Sequence, residues 1–219
     1  MTETIYIVDD DPGIVTALSR LTRTAGFEVE GYSSGREFLA HHRRDTPGCA
    51  ILDVAMGDCS GLDIYRRLIG EGCGRPVIFI SGQSDLQTGV LAMKAGAVDF
   101  LTKPVSADDL FRAIDIAIER DHAARQASDE VQAVKTRLAT LSPRELQVFL
   151  EVVRGRLNKQ IAADLGIVEK TAKVHRGRMM SKMGARNVAA LVRMAERLEH
   201  GSLTPTPPAK GSSSNISDL

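Results

Sequence analysis

The stretch ILDVAMGDCSG, residues 51–61, ends an apolar run on a single carboxylate, Asp53, and then turns through glycines. A charge at the end of a buried strand costs several kcal/mol unless it is paired or binds a metal. Asp53 is therefore either a structural cap for the following segment or a residue placed to react. The residues around it help to distinguish the two.

Short apolar runs recur through the first 120 residues, and amphipathic segments such as IVTALSRLTRTA lie between them. The runs lie at residues 5–8, 29–32, 49–52, 77–80 and 98–101. Strands that alternate with helices form βαβ units. The sequence therefore predicts an α/β doubly wound five-stranded parallel sheet with helices on both faces.

Polar residues follow the predicted strands where each strand ends. They are Asp9, Asp10 and Asp11 after the first, Asp53 after the third, Ser81 after the fourth and Lys103 after the fifth. Ligands of such sheets bind beyond the carboxyl ends of the strands. Neighbouring carboxylates repel one another, and oxygen ligands with room for water suit Mg²⁺. Alternatively, each acid only caps the helix that follows its strand.

The motifs IVDDD, LD, SG and DFLTKP, in this order, resemble the receiver domain of bacterial two-component response regulators over about residues 3–120. The resemblance implies that Asp53 is the phosphoacceptor for a phosphoryl group from a sensor histidine kinase. It also implies that Mg²⁺ is held by Asp10, Asp53 and the backbone carbonyl of Ala55, with Asp9 in support. Little covalent work is then left to the protein, because metal and cation stabilise the phosphoryl charge.

The same resemblance assigns the output of the domain. Lys103 would pair with the phosphoryl oxygens, and Ser81 would hydrogen-bond to one of them. Phe100 would turn inward behind Ser81, forming the switch pair. The surface around residues 87–101 would then become the face of a homodimer.

The stretch that opens this section departs from the family pattern D-x-R-M-P-x-M-x-G. Ala55, Gly57 and Cys59 stand where that pattern has Arg, Pro and Met. The metal contact at Ala55 uses main chain, so we expect the chemistry to persist. We expect an altered phosphorylation lifetime or partner preference of unknown sign. A receiver that senses something other than phosphate, or is always active, remains an alternative. We interpret Cys59 as a small buried hydrophobe rather than a redox sensor.

Charge separates the two halves of the chain: residues 1–120 carry a balance of −6 and residues 138–200 a balance of +6. The basic half suggests a nucleic-acid partner. Residues 121–137 are helical in pattern without Gly or Pro, which predicts a helical linker. In LSPREL, Ser142 and Glu145 form a predicted capping box. Further helix starts at Asn158 and Glu169 flank a turn at Gly166, giving a helix-turn-helix pattern.

Residues 138–200 resemble the LuxR-type DNA-binding domain, in LSPRE, NKQIAADLGI, EKTAKVHRGRMMSKMG and NVAALVRMA. Together the halves resemble the NarL/FixJ family, nearest its FixJ branch. The resemblance implies an all-α four-helix domain that binds double-stranded DNA as a dimer, with RNA polymerase as a further partner. The predicted base contacts are Lys173, Val174 and Arg176. The predicted phosphate contacts are Lys170, Thr171, Arg178 and Lys182.

Several function classes fit poorly. No apolar run approaches the ~20 residues of a membrane span, and the N-terminus is too acidic for a signal peptide, so we expect a cytoplasmic protein with no membrane partner. Three cysteines without CxxC spacing indicate reduced thiols. An aspartyl-phosphate hydrolase of the haloacid dehalogenase type needs a second acid where Ala55 stands, so we expect no enzyme. No GxxxxGK[ST] motif occurs, which excludes an ATP-driven activator of the enhancer-binding kind. Residues 201–219 are Pro/Ser-rich and predicted to be disordered.

Overall fold

The computed structural model describes residues 3–57, 59–82 and 86–200, the side chains of residues 86, 199 and 200 excepted. The predicted disordered tail lies outside these residues. The strands are β1 (Thr4–Val8), β2 (Glu28–Tyr32), β3 (Gly48–Asp53), β4 (Val77–Ser81) and β5 (Asp99–Thr102). The helices are α1 (Pro12–Thr24), α2 (Gly35–His41), α3 (Gly61–Gly70), α4 (Leu86–Lys94), α5 (Ala107–Ala139), α6 (Pro143–Val153), α7 (Asn158–Leu165), α8 (Glu169–Met183) and α9 (Val188–His200).

The five strands form one parallel sheet in the order β2-β1-β3-β4-β5. Strands β1, β3 and β4 are buried along their whole length. A strand covered on both faces has to be apolar throughout, which is why it shows up as a continuous run in the sequence. The predicted doubly wound fold is confirmed.

Two hydrophobic cores cover the two faces of the sheet. Alternate residues of β1 point to opposite faces, so Tyr6 joins one core and Ile7 the other. The first core packs the sheet against α2, α3 and α4, and the second packs it against α1 and α5. With both faces closed, the edge where the strands end in polar residues remains available for chemistry.

The chain divides into two compact units, Met1–Gln126 and Ala127–Leu219, and α5 contributes residues to both. The second unit has its own core, which includes Val134, Phe149, Ile161, Met179 and Leu191. These residues come from α5, α6, α7, α8 and α9 in turn. Within the described residues, no helix combines the length and apolar character needed to cross a membrane.

Local signals account for some helix ends of the second unit. At α6 the Glu145 amide donates to Ser142 Oγ at 3.3 Å and the Ser142 amide donates to Glu145 Oε2 at 2.8 Å, which is the predicted capping box. Gly166 ends α7 with a φ of 64°, in the left-handed region that glycine tolerates. The starts of α7 and α8 are capped by Leu157 and Val168, and neither supplies a side-chain acceptor.

Candidate functional site

Three carboxylates meet at the carboxyl edge of the sheet. Asp9 and Asp10 follow β1, and Asp53 ends the neighbouring β3, so the parallel register brings them to one place. One oxygen from each of the three lies within 4.8 Å of the others. Asp9 and Asp53 are buried, at 0% and 4% exposure, whereas Asp10 is exposed. The predicted acidic cluster is thus formed with one side open to solvent.

Lys103 ties two of these acids together. Its Nζ lies 2.6 Å from Asp9 Oδ2 and 2.7 Å from Asp53 Oδ1. Burial disfavours the charged ammonium, but the hydrogen bonds with Asp53 and Asp9 outweigh burial and raise the pKa of Lys103. Burial raises the pKa of the Asp9 carboxyl, opposed by its hydrogen bonds to Lys103 and to the Asp11 amide. Lys103 is therefore held as a cation directly beside Asp53.

Backbone amides of the loop after β3 hold one oxygen of Asp53 and one oxygen of Asp10. The Ala55 amide donates to Asp53 Oδ2 at 3.0 Å, and the Gly57 amide donates to Asp10 Oδ2 at 3.1 Å. The loop can approach this closely because α3 begins with a glycine. A Cβ on Gly61 would lie 2.3 Å from the Asp53 carbonyl oxygen, so another residue there would displace β3 or α3.

The donor set fits a divalent cation. A single ammonium cannot balance three carboxylates, and within the described residues Asp10 has no cationic partner. Carboxylate oxygens at an open, partly hydrated edge are the ligands that Mg²⁺ uses with phosphate. The acidic cluster is therefore compatible with Mg²⁺.

The two predicted switch residues lie on β4, the strand next to Asp53, and on β5, the strand beyond it. In the ladder Asp53 pairs with Ile80, which puts the buried Ser81 one residue further toward the edge. Phe100 is half-buried on β5 and packs against the first core. Its ring occupies the space beside Gly89, where a Cβ would come within 3.2 Å of the ring carbons. The glycine in α4 therefore provides room for this ring.

The outer face of α8 carries the second candidate site. Lys170, Lys173, Val174 and Arg178 are exposed there, and Val174 is 46% exposed although it is apolar. Thr171 is half-buried. The opposite face of α8 inserts Ala172, Met179 and Met183 into the core of the second unit. A rigid helix thus presents a basic surface of the kind that enters a DNA major groove.

Some of the predicted DNA-contacting residues form bonds inside the unit: Lys173 pairs with Glu169 at 3.4 Å within α8, and Arg176 and Lys182 reach outside α8. Arg176 Nη1 donates to Asn158 Oδ1 on α7 at 3.0 Å. Lys182 Nζ donates to Glu145 Oε2 at 2.6 Å and to the Thr140 carbonyl at 3.0 Å. The hydrogen bond from Lys182 holds the pKa of the 4% exposed Glu145 at about 2. Lys182 therefore links α8 to the start of α6, while its side chain stays 40% exposed.

Comparison with known proteins places both units. A sequence model described as "response regulator receiver domain" matches residues 5–115, and one described as "bacterial regulatory proteins, luxR family" matches residues 139–195. Response regulator protein TodT of Pseudomonas putida is 46% identical over 195 residues, covering 89% of this chain and 86% of TodT. Transcriptional regulatory protein FixJ of Rhizobium meliloti (strain 1021) is 40% identical over 192 residues, covering 88% of this chain and 94% of FixJ.

The chain belongs to the NarL/FixJ family of response regulators. The structure of response regulator StyR superimposes with a TM-score of 0.80 at 38% identity, covering 90% of this chain and all of StyR's. This response regulator therefore combines a receiver domain with a LuxR-type DNA-binding domain, in a family of two-component transcriptional regulators. A receiver implies a cognate kinase, and a LuxR-type domain implies DNA as a partner.

Sequence reasoning named the acidic residues, Lys103, Ser81 and Phe100 of this response regulator. The structure clusters Asp9, Asp10 and Asp53 and brings Lys103 into contact with Asp9 and Asp53. Sequence reasoning missed the hydrogen bond from the Gly57 amide to Asp10, which links residues 47 positions apart. The replacement of the family proline by glycine was visible, but not the partner of the freed amide. Sequence reasoning also missed Gly89, whose role depends on a ring from a neighbouring strand.

Proposed function

We propose that this protein is a transcriptional regulator switched on by phosphoryl transfer from a sensor histidine kinase to Asp53. The observation that carries the proposal is the setting of Asp53. It is 4% exposed at an open edge, with one oxygen on Lys103 and the other on the Ala55 amide, beside two further carboxylates. A structural cap would not need a cation and two acids around it.

In the proposed reaction one carboxylate oxygen of Asp53 forms a bond to phosphorus, while the bond from phosphorus to the histidine nitrogen of the kinase breaks. Lys103, already charged and 2.7 Å from Asp53, would follow the phosphoryl oxygens. Asp10, Asp53 and the Ala55 carbonyl would hold Mg²⁺, with Asp9 in support. The metal, when bound, would neutralise charge on the phosphoryl oxygens.

The proposed output begins at Ser81, whose hydroxyl would bond to the phosphoryl group. Phe100 would then leave its place beside Gly89 and turn inward. This movement would change the face around residues 87–101, where Val90 and Leu91 are already 49% and 56% exposed. Apolar side chains exposed on a surface that would differ between the inactive and the phosphorylated state support a homodimer formed on activation.

For DNA binding we propose Lys173, Val174 and Arg176 as base contacts. Arg176 would be aimed by Asn158, and Val174 would suit a thymine methyl group. Lys170, Thr171 and Arg178 would contact phosphates. Lys182 would join this set, because its side chain is 40% exposed although its ammonium also has two partners inside the unit.

We also propose the domain bounds: receiver 1–120, helical linker 121–137 and DNA-binding domain 138–200, with the second half of the linker packed into the core of the second unit. A dimer would place two recognition helices on two half-sites, because one such module has a small interface. RNA polymerase is the proposed partner at the promoter. Since its DNA target is the chromosome, the protein would act in the cytoplasm.

Asp53→Asn tests the phosphoacceptor, with the exposed Asp115→Asn on α5 as a matched control. Each protein is incubated with Mg²⁺ and acetyl phosphate, and the phosphorylated fraction is separated from the unphosphorylated one on a phosphate-affinity gel. We expect uptake by wild type and the control, and none by Asp53→Asn. Uptake that persists in Asp53→Asn contradicts the assignment. Light scattering with beryllofluoride, an acyl-phosphate mimic, should show a dimer in wild type and a monomer in Asp53→Asn.

Lys173→Ala and Arg178→Ala test the DNA contacts. A binding site selected from random DNA by the wild-type protein serves as the specific probe. Lys173→Ala should weaken specific binding more than non-specific binding, whereas Arg178→Ala should weaken both and reduce the salt slope by about 1. Equal behaviour of the two variants would contradict the division into base and phosphate contacts.

A further inference from the structure

The amide of Gly57 is joined to the side chain of Asp10 by a bond that crosses the site. Gly57 lies in the loop between β3 and α3, and its N–H donates to Asp10 Oδ2 at 3.1 Å. In the part of the chain that the structure describes, this is the one side-chain hydrogen bond that Asp10 makes. Asp9, in contrast, is buried and fixed by both Lys103 and the Asp11 amide. The orientation of the exposed Asp10 therefore depends on Gly57.

The bond requires a residue with a backbone N–H. In the receivers that this stretch resembles, proline stands at the position of Gly57, and proline has no N–H to donate. The absence of a side chain is not what matters here. A Cβ on Gly57 would lie 3.7 Å from Asp10 Oδ2, which is ordinary van der Waals contact. Alanine at this position would keep the bond, and proline would remove it.

A carboxylate with one oxygen bound to an amide has a fixed plane and leaves its other oxygen for a second partner. At Asp10 the carboxylate stands in the cluster whose oxygens lie within 4.8 Å of one another. Free rotation of an exposed aspartate would otherwise have to be lost when a cation binds. The bond has already restricted that rotation before any cation arrives.

We propose that the Gly57 amide is a positioning group for the divalent cation, holding Asp10 in the orientation that binds it. This inference rests on the magnesium site of the proposed function. It assigns to the unusual loop a gain in cation affinity of the unphosphorylated receiver. Outer partners of metal ligands commonly change affinity by about tenfold or more, and about tenfold is the effect expected here.

Cation affinity of the full-length protein tests the proposal. Binding of Mn²⁺ is followed by the electron paramagnetic resonance signal of the free ion, and Mg²⁺ is measured by competition. Gly57→Pro should raise the dissociation constants about tenfold, whereas Gly57→Ala should change them less than twofold. Gly57→Pro binding as tightly as wild type would overturn the inference and leave the proposed function intact. Wild type that binds neither ion would overturn both.

A second measurement keeps the test decisive if Gly57→Pro does not fold. In the metal-free protein, Asp10→Ala should move the Gly57 amide resonance upfield and accelerate its hydrogen exchange, because the amide loses its acceptor. Asp11→Ala is the control, since the Asp11 side chain accepts from Gly13 instead. A Gly57 amide that is unchanged by Asp10→Ala would overturn the proposal.

Discussion

The start of α7 carries half of a capping box, and this gives a prediction about stability. The Leu157 amide donates to Gln160 Oε1 at 2.8 Å, but leucine has no atom to accept from the other orphan amide. Leu157 is 68% exposed. Leu157→Ser would supply the missing acceptor and complete the box, as Ser142 does at the start of α6.

The expected change in the free energy of unfolding has two contributions. A serine in place of alanine at an N-cap stabilises a helix by about 1 kcal/mol. With a third of Leu157 buried, its removal costs about a third of the ~2 kcal/mol of a fully buried leucine, or roughly 0.6 kcal/mol. Leu157→Ala should therefore be less stable than wild type by about 0.6 kcal/mol, and Leu157→Ser more stable by about 0.4 kcal/mol.

Urea unfolding of a fragment of residues 127–200, followed by far-ultraviolet circular dichroism, measures these differences without the first unit. The comparison of the serine and alanine variants isolates the cap, because both remove the same apolar contacts. Ser142→Ala provides the reverse test and should cost about 1 kcal/mol. Equal stability of Leu157→Ser and Leu157→Ala would refute the reasoning.

Two further predictions concern the first unit. Burial, together with the charge of Arg75, lowers the pKa of His42 below its ordinary 6.5. As the pH falls, the unfolded chain therefore takes up this proton before the folded one does. The contribution of His42 to the free energy of unfolding is complete above pH 6.5 and falls as the pH drops below it. In urea unfolding, the free energy of unfolding of His42→Gln should decline less between pH 7.5 and 5.5 than that of wild type. An equal decline in both proteins would exclude His42 as its source. Gly89→Ala should shift the ring resonances of Phe100, because the new Cβ would lie 3.2 Å from the ring. Val90→Ala, at an exposed position, is the control, and identical Phe100 spectra in both variants would contradict the contact.

The fold was predictable because its signals are local. Each predicted strand begins and ends within about a residue of the observed one. For β1, β3 and β4 the reason is that strands buried on both faces are unbroken apolar runs. The acidic edge was predictable for a related reason. The carboxyl ends of parallel strands meet, so Asp9 and Asp53 need no further information to be placed together.

The missed features depend on partners far away in the chain. Lys182 has the pattern of a DNA-binding residue, yet it bonds to Glu145, 37 positions earlier. Glu145 was identified as a capping residue, and a capping glutamate still has room to accept a second, charged donor. Helix periodicity alone does not tell a solvent-facing lysine from one that reaches a buried carboxylate. That distinction requires the packing of α6 against α8.

The predicted linker, residues 121–137, is divided between the two units. In the first unit Asp121 is 3% exposed and accepts from the Gly48 amide at 2.9 Å and from Arg125 Nε at 2.7 Å. In the second unit Val134 is 3% exposed in the core, and Arg137 Nη1 donates to the Met183 carbonyl at 3.2 Å. The second half of the linker is therefore part of the structure that holds the recognition helix.

A DNA-binding fragment that begins at residue 138 should consequently be much less stable than one that begins at residue 127. It loses the burial of Val134, about 2 kcal/mol, and the Arg137 hydrogen bond, about 1 kcal/mol. Urea unfolding of fragments 138–200 and 127–200 measures the difference of about 3 kcal/mol. Within the longer fragment, Val134→Ala should cost about 2 kcal/mol and the exposed Lys135→Ala almost nothing. Equal midpoints for the two fragments would mean that Val134 and Arg137 contribute no stability, and that the linker ends where the sequence pattern placed it.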